Sequence, residues 1–212
     1  AQMYTMGTVL RHGNDEQKQK YLPLIASGEL RLQAFGVTEP TTGSDTTQLK
    51  TRAVKEGDQY VVNGQKIWTS RAHQSDLMLL LARTMPANEV EKRTQGLSTF
   101  LVDLRETRGK GCEIRSIPTM INHNTTEVFF DNMRIPVDAL VGKEGEGFKN
   151  ILSGMNAERI LIASEALGDG RYFMDKGVGY ANERQVFGRP IGQNQGIGFP
   201  LAAAYAQLES AE

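Results

Sequence analysis

Hydrophobic and polar positions divide the chain into three regimes. Over residues 1–29 they recur with a helical period: Met3, Met6 and Leu10 form one series, and a break at His12-Gly13 separates that helix from a second. Asn14 or Asp15 can cap the second helix, predicted over 16–26 and ended by Gly28, with Tyr21, Leu22, Leu24 and Ile25 clustered on one side. From Leu32 the pattern becomes that of strands. Leu32 to Val37 is apolar, and Thr38 to Asp45 is a polar loop holding Pro40 and Gly43. Tyr60 to Val62, Asn63-Gly64, and Gln65 to Trp68 together predict a hairpin, because Asn-Gly supplies the positive φ angles of a type I′ turn. Gly57-Asp58 marks another turn just upstream.

Further strands are predicted over 77–83, 97–104, 113–117 and 127–130, with 85–94 an exposed excursion between two of them. Strands that succeed one another without helices imply antiparallel pairing, hence a sandwich or barrel. After Pro136 the helical pattern returns. Gly142, Gly145 and Gly147 read as a flexible lead into a long helix from Phe148 to about Gln185; Arg189-Pro190 stops it, and a last helix begins after Gln195. The expected fold class is α+β: a central antiparallel β-barrel-like domain flanked by helical segments.

Composition narrows the function classes. The 24 basic and 25 acidic residues among 212 give a net charge of −1, and the basic ones are scattered rather than gathered into a nucleic-acid footprint. The single cysteine, Cys112, excludes an intramolecular disulfide framework and points to a reducing compartment or to indifference to redox state. No apolar run reaches the roughly 20 residues of a membrane span. The first residues already look helical, so the sequence reads as a fragment with both ends inside structure.

His12, His73, His123 and Cys112 lack zinc-ligand spacing, so no metal site is expected. Neither a phosphate-binding P-loop nor a nucleophile-elbow serine is present. The Asn124-Thr125-Thr126 sequon has no secretory context beside it. Three stretches could carry chemistry. The loop Val37 to Asp45 offers hydroxyls and backbone N–H groups suited to flavin carbonyls or pyrophosphate oxygens, although Ser, Thr and Asp routinely satisfy their own backbone. Trp68-Thr69-Ser70 places the only tryptophan beside two hydroxyls, able to wall a planar ring and bond its edge; a lone tryptophan in a strand is more often core. Glu158-Arg159 lies among Met155, Ile160, Leu161 and Ile162, where a half-buried carboxylate could act as a general base or could simply be a solvated helix residue.

The segments VTEPTTGSD (37–45), YVVNGQKIWTS (60–70), FFDNMRIP (129–136), GKEGEGF (142–148) and ERQVFGRPI (183–191) together resemble the acyl-CoA dehydrogenase family, in that family's order and across nearly the whole chain. The resemblance implies three parts: 1–31 as the end of an N-terminal helical domain, 32–141 as the FAD-binding middle domain, and 142–212 as the start of a C-terminal helical domain. By position it implies FAD contacts from Phe35, Val37, Thr38, Gly43, Ser44, Trp68, Thr69 and Ser70, with Thr38 near the pyrimidine edge and Ser70 near N5. It further implies that Arg184, Phe187 and Gln195 reach the FAD of a neighbouring subunit, hence a homodimer or homotetramer. Ser44, Asn156 and Arg159 match acyl-CoA-binding positions.

Most of the family takes its catalytic base from beyond the equivalent of residue 212. A minority carries it at the position of Glu158, which is the expected base here. The implied reaction is α,β-dehydrogenation of an acyl-CoA, with electrons passed to an electron-transfer flavoprotein in the bacterial cytoplasm or mitochondrial matrix. An acyl-CoA oxidase or flavin monooxygenase of the same fold, and a non-catalytic fragment, are the competing readings.

Overall fold

The computed structural model describes residues 2–212. The order is helices α1 (Gln2–His12) and α2 (Asp15–Ser27); strands β1 (Leu32–Gly36), β2 (Arg52–Glu56), β3 (Gln59–Ser70), β4 (Leu77–Arg83) and β5 (Leu97–Asp103); and a single-turn helix α3 (Leu104–Thr107). Strands β6 (Cys112–Ser116), β7 (Thr125–Pro136) and β8 (Leu140–Val141) follow, then the long helix α4 (Gly147–Glu183), a minimal hairpin β9 (Gln185–Val186) and β10 (Arg189–Pro190), and α5 (Gln195–Ala211). The chain divides into two compact units, residues up to Ala157 and residues from Glu158 onward.

In the first unit α2 starts with a capping box: the Asn14 side chain accepts from the Gln17 N–H while the Gln17 side chain accepts from the Asn14 N–H. The main sheet runs β6-β7-β3-β2-β4-β5-β8, with β1 alongside β4. The α+β class holds, but the sheet does not close into a barrel. Among the described residues β6 pairs only with β7, and the two-residue β8 only with β5, so the two ends of the sheet do not meet. Nor is it wholly antiparallel. The β1–β4 ladder is parallel, as is the single Arg52–Arg83 pairing of β2 with β4. The loop of 37–51 makes this possible, because it carries the chain away from β1 before β2 begins and leaves one edge of β4 free for β1.

Every residue from Leu77 to Ala82 is fully buried. Alternation across the pleat sends Met78, Leu80 and Ala82 into the larger core, with Tyr60, Phe100, Val128 and Phe130. Leu77 and Leu79 face a second core shared with Val9 and Ile25 of the N-terminal helices.

The hairpin expected at Asn63-Gly64 is not there. Strand β3 runs straight through it, and the two-residue connection is Gly57-Asp58, since Glu56 pairs with Gln59 and Arg52 with Asn63. Gly64 is a strand bulge instead: the pairing with β7 slips between Val62 and Gly64, and Gly64 has φ of 147°. A Cβ there would lie 2.6 Å from the Thr51 Cα, so close backbone approach, rather than a turn, explains the glycine. The 142–147 stretch is likewise pinned rather than flexible. A Cβ on Gly147 would sit 2.4 Å from the Ser98 carbonyl carbon, and Thr99 Oγ1 donates to the Gly147 carbonyl at 3.0 Å. Phe148 and Ile151 then pack with Leu49, Leu81 and Leu97, which anchors the start of α4.

In the second unit α5 returns along α4, where Leu208 and Leu201 approach Gly170 and Gly177. Arg171 pairs with Glu209 and Glu212. Among the described residues no helix is long and apolar enough to cross a membrane.

Candidate functional site

The polar loop that follows β1 is folded on itself at Glu39-Pro40-Thr41-Thr42. The Glu39 N–H donates to the Thr42 carbonyl at 2.9 Å and the Thr42 N–H returns to the Glu39 carbonyl at 3.0 Å. Asp45 accepts from the Thr47 N–H and hydroxyl, which holds its carboxyl below the usual range. This much of the loop does satisfy itself, as Ser, Thr and Asp loops commonly do.

The rest is tied to β3. The Ile67 N–H donates to the Thr38 carbonyl at 2.9 Å, so the loop lies against the strand that carries Trp68 to Ser70. Phe35, Val37 and Thr38 are half-buried, while Gly43 and Ser44 are exposed. A Cβ added to Gly43 would meet no atom within 4 Å, so the chain itself does not require glycine there.

Trp68 is 57% exposed, against the expectation that a lone strand tryptophan is core. The reason is a second slip in the β3–β7 ladder, between Lys66 and Thr69, with Trp68 at φ of 60°. Holding a bulky residue in that region costs about 1–3 kcal/mol and is found where the surroundings impose it. The bulge turns the indole out of the core, while Thr69 points inward. Thr126 Oγ1 donates to the Thr69 carbonyl at 2.7 Å, yet Thr69 Oγ1 is buried and has no hydrogen-bond partner among the described residues. Ser70 is half-buried at the strand end. An outward indole, the half-buried Ser70 at the strand end and an open glycine loop on adjoining segments fit a planar, hydrogen-bonding ring such as a flavin.

Beneath the loop lies a buried ion pair that the sequence reading did not single out. Lys66 Nζ is 2.8 Å from Glu39 Oε1, with the side chains 0% and 5% exposed. Lys66 also donates to the Val37 carbonyl at 3.0 Å, and Glu39 accepts from the N–H groups of Lys50 and Thr51 at 2.6 and 2.9 Å. Burial pushes the Lys66 ammonium down to about 8, outweighing the attraction of Glu39. Burial alone would raise the Glu39 carboxyl, but the Lys66 charge and the donated hydrogen bonds hold it below its usual value. A lysine within an apolar-flanked strand and a glutamate before proline were the available signals, and neither residue type is distinctive alone.

Asn156 is exposed on α4 within the first unit. Glu158, half-buried, and Arg159, exposed, begin the second. Arg184 and Gln195 are exposed there, and Phe187 is 99% exposed at φ of 55° in the turn of the β9–β10 hairpin. The structure therefore brings together residues 35–44 and 68–70; the others lie on α4 or beyond it. A concavity lined by Asn14, Lys20, Asp103, Arg134 and Asp138 includes none of residues 35–44 or 68–70.

Comparison with known proteins identifies the family. Residues 34–133 match the acyl-CoA dehydrogenase middle domain, 145–212 the C-terminal domain and 1–29 the N-terminal domain of the same family. The chain belongs to the acyl-CoA dehydrogenase family. It is 40% identical to an acyl-CoA dehydrogenase of Bacillus subtilis strain 168, over 96% of this chain and 52% of that protein. It is 37% identical to a short-chain-specific acyl-CoA dehydrogenase of Clostridium acetobutylicum, over 94% and 52% of the respective chains. The crystal structure of an acyl-CoA dehydrogenase from Geobacillus kaustophilus superposes with a TM-score of 0.89 at 31% identity, covering 96% of this chain and 53% of that one. The chain thus spans about half the length of the acyl-CoA dehydrogenases it matches.

Proposed function

We propose that this chain is the flavin-binding part of an FAD-dependent acyl-CoA dehydrogenase that removes hydrogens from the α and β carbons of an acyl-CoA thioester. In this reading 1–31 ends the N-terminal helical domain, 32–141 is the FAD-binding middle domain and 142–212 begins the C-terminal helical domain. The observation that carries it is the juxtaposition of the 37–45 loop with Trp68-Thr69-Ser70, tied by the Ile67 N–H to the Thr38 carbonyl beside the outward Trp68.

When bound, FAD supplies the hydride acceptor. The chain's own residues do the rest. Phe35, Val37, Thr38, Gly43 and Ser44 of the loop and Trp68, Thr69 and Ser70 of the adjoining strand end would hold the ring. Ser44, Asn156 and Arg159 orient the acyl-CoA. Glu158 takes the α-proton on its carboxylate, a role that its half-buried place on α4 suits. Arg184, Gln195 and the fully exposed Phe187 reach toward the flavin of a second subunit, giving a homodimer or homotetramer. A nearly fully exposed phenylalanine held at positive φ favours such an intersubunit role. An electron-transfer flavoprotein takes the electrons onward, in the bacterial cytoplasm or the mitochondrial matrix.

The test is anaerobic bleaching of the flavin by acyl-CoA in wild type and Glu158→Gln. The variant should retain FAD yet bleach more slowly by about 100-fold or more. Unchanged bleaching would place the base elsewhere.

A further inference from the structure

Glu39 and Lys66 have no role in the reading above, yet they form the one ion pair among the described residues in which both side chains are buried. Such a pair is costly to desolvate and is easily replaced by apolar packing when only stability is at stake. Its connections show what else it does. The Glu39 carboxylate gathers two separated points: the consecutive N–H groups of Lys50 and Thr51 just before β2, and the Lys66 ammonium on β3. Glu39 is itself part of the loop that follows β1. One side chain thereby closes the base of the whole 37–51 loop against β3.

Lys66 completes the closure from the other side through the Val37 carbonyl. That carbonyl belongs to the same peptide unit as the Thr38 N–H. An ammonium bonded to the oxygen of a peptide polarises it, so the N–H at its other end becomes a stronger donor. The pair therefore fixes where Thr38 stands and strengthens its backbone donor.

We propose that Glu39 and Lys66 are positioning residues for the flavin cradle, setting the place of the 37–45 loop and the donor strength of Thr38 without touching the ring. This inference rests on the FAD-binding reading of the cradle. The two differ in what they require, which allows their failures to be told apart.

The experiment uses the full 212-residue chain as wild type, Lys66→Met and the double variant Glu39→Gln/Lys66→Met. Each is checked by far-UV circular dichroism and thermal melting, then titrated with FAD while the flavin absorbance spectrum is recorded. Lys66→Met leaves a carboxylate buried alone and should melt lower than wild type. The double variant removes both charges and should recover most of that melting temperature. If the pair positions the loop, the folded double variant still binds FAD about 10- to 100-fold more weakly than wild type. Its bound-flavin spectrum also lies closer to that of free FAD. A folded double variant with wild-type affinity and spectrum overturns the positioning role and leaves the FAD reading intact. Wild type that takes up no FAD overturns both.

Discussion

The Ile67 N–H donates to the carbonyl of Thr38 at 2.9 Å, joining the hydroxyl-rich loop to the strand that ends in Trp68, Thr69 and Ser70. One residue beyond that bond the ladder slips and Trp68 turns outward at φ of 60°. That bond holds the loop beside the bulge, the arrangement on which the FAD proposal rests.

Thr69 tests which way the strand end faces. Its hydroxyl is buried with no partner among the described residues. Replacing it by the similarly shaped valine removes an uncompensated polar atom, so stability should change by less than about 1 kcal/mol and FAD affinity should hold. Urea unfolding of the apoprotein and FAD titration measure both. FAD affinity weakened about tenfold would mean that the hydroxyl turns toward the flavin.

Gly64 and Gly57 separate close approach from turn geometry. Both have positive φ, but a Cβ on Gly64 would strike Thr51 whereas one on Gly57 would meet nothing within 4 Å. Gly64→Ala should destabilise by about 2–4 kcal/mol, combining overpacking with backbone strain. Gly57→Ala should cost only about 1 kcal/mol, from φ alone. Equal losses in urea unfolding would contradict the bulge assignment.

Lys66 gives a pH signature. Its folded value, about 8, lies below the roughly 10.4 of an unfolded lysine. Between those limits the unfolded chain holds more protons, so this group's contribution to stability rises with pH and is flat below about 8. From about pH 7.5 to about pH 9.5, wild type should gain on the order of 2 kcal/mol relative to Glu39→Gln/Lys66→Met. Tyr60, raised to about 12, and Cys112, raised to about 11, are present in both proteins and cancel in that difference. Parallel pH profiles of urea-unfolding stability would show that Lys66 titrates normally.

Local signals were legible where one residue decides the geometry. Asn14 and Gly28 bound α2, and the unbroken apolar run of β4 marks a strand buried on both faces. Asn63-Gly64 misled because the same dipeptide that suits a tight turn also suits a bulge, and only the distant Thr51 backbone selects between them. The parallel β1–β4 pairing was hidden for a similar reason: it follows from a long loop reordering the strands, not from any residue in them. Trp68 shows the same limit at the site. Its exposure depends on a register slip against β7, beyond the reach of local periodicity. The family motifs cover both segments proposed to hold FAD, although the Glu39–Lys66 pair spans 27 positions and becomes visible only when folded.

Trp68 is the chain's single tryptophan, so its fluorescence reports the cradle directly. Titrating the full chain with FAD should quench that emission saturably, with free adenosine having no such effect. Emission that stays constant as FAD is added, with all the flavin remaining free on gel filtration, would contradict the assignment of this surface to FAD.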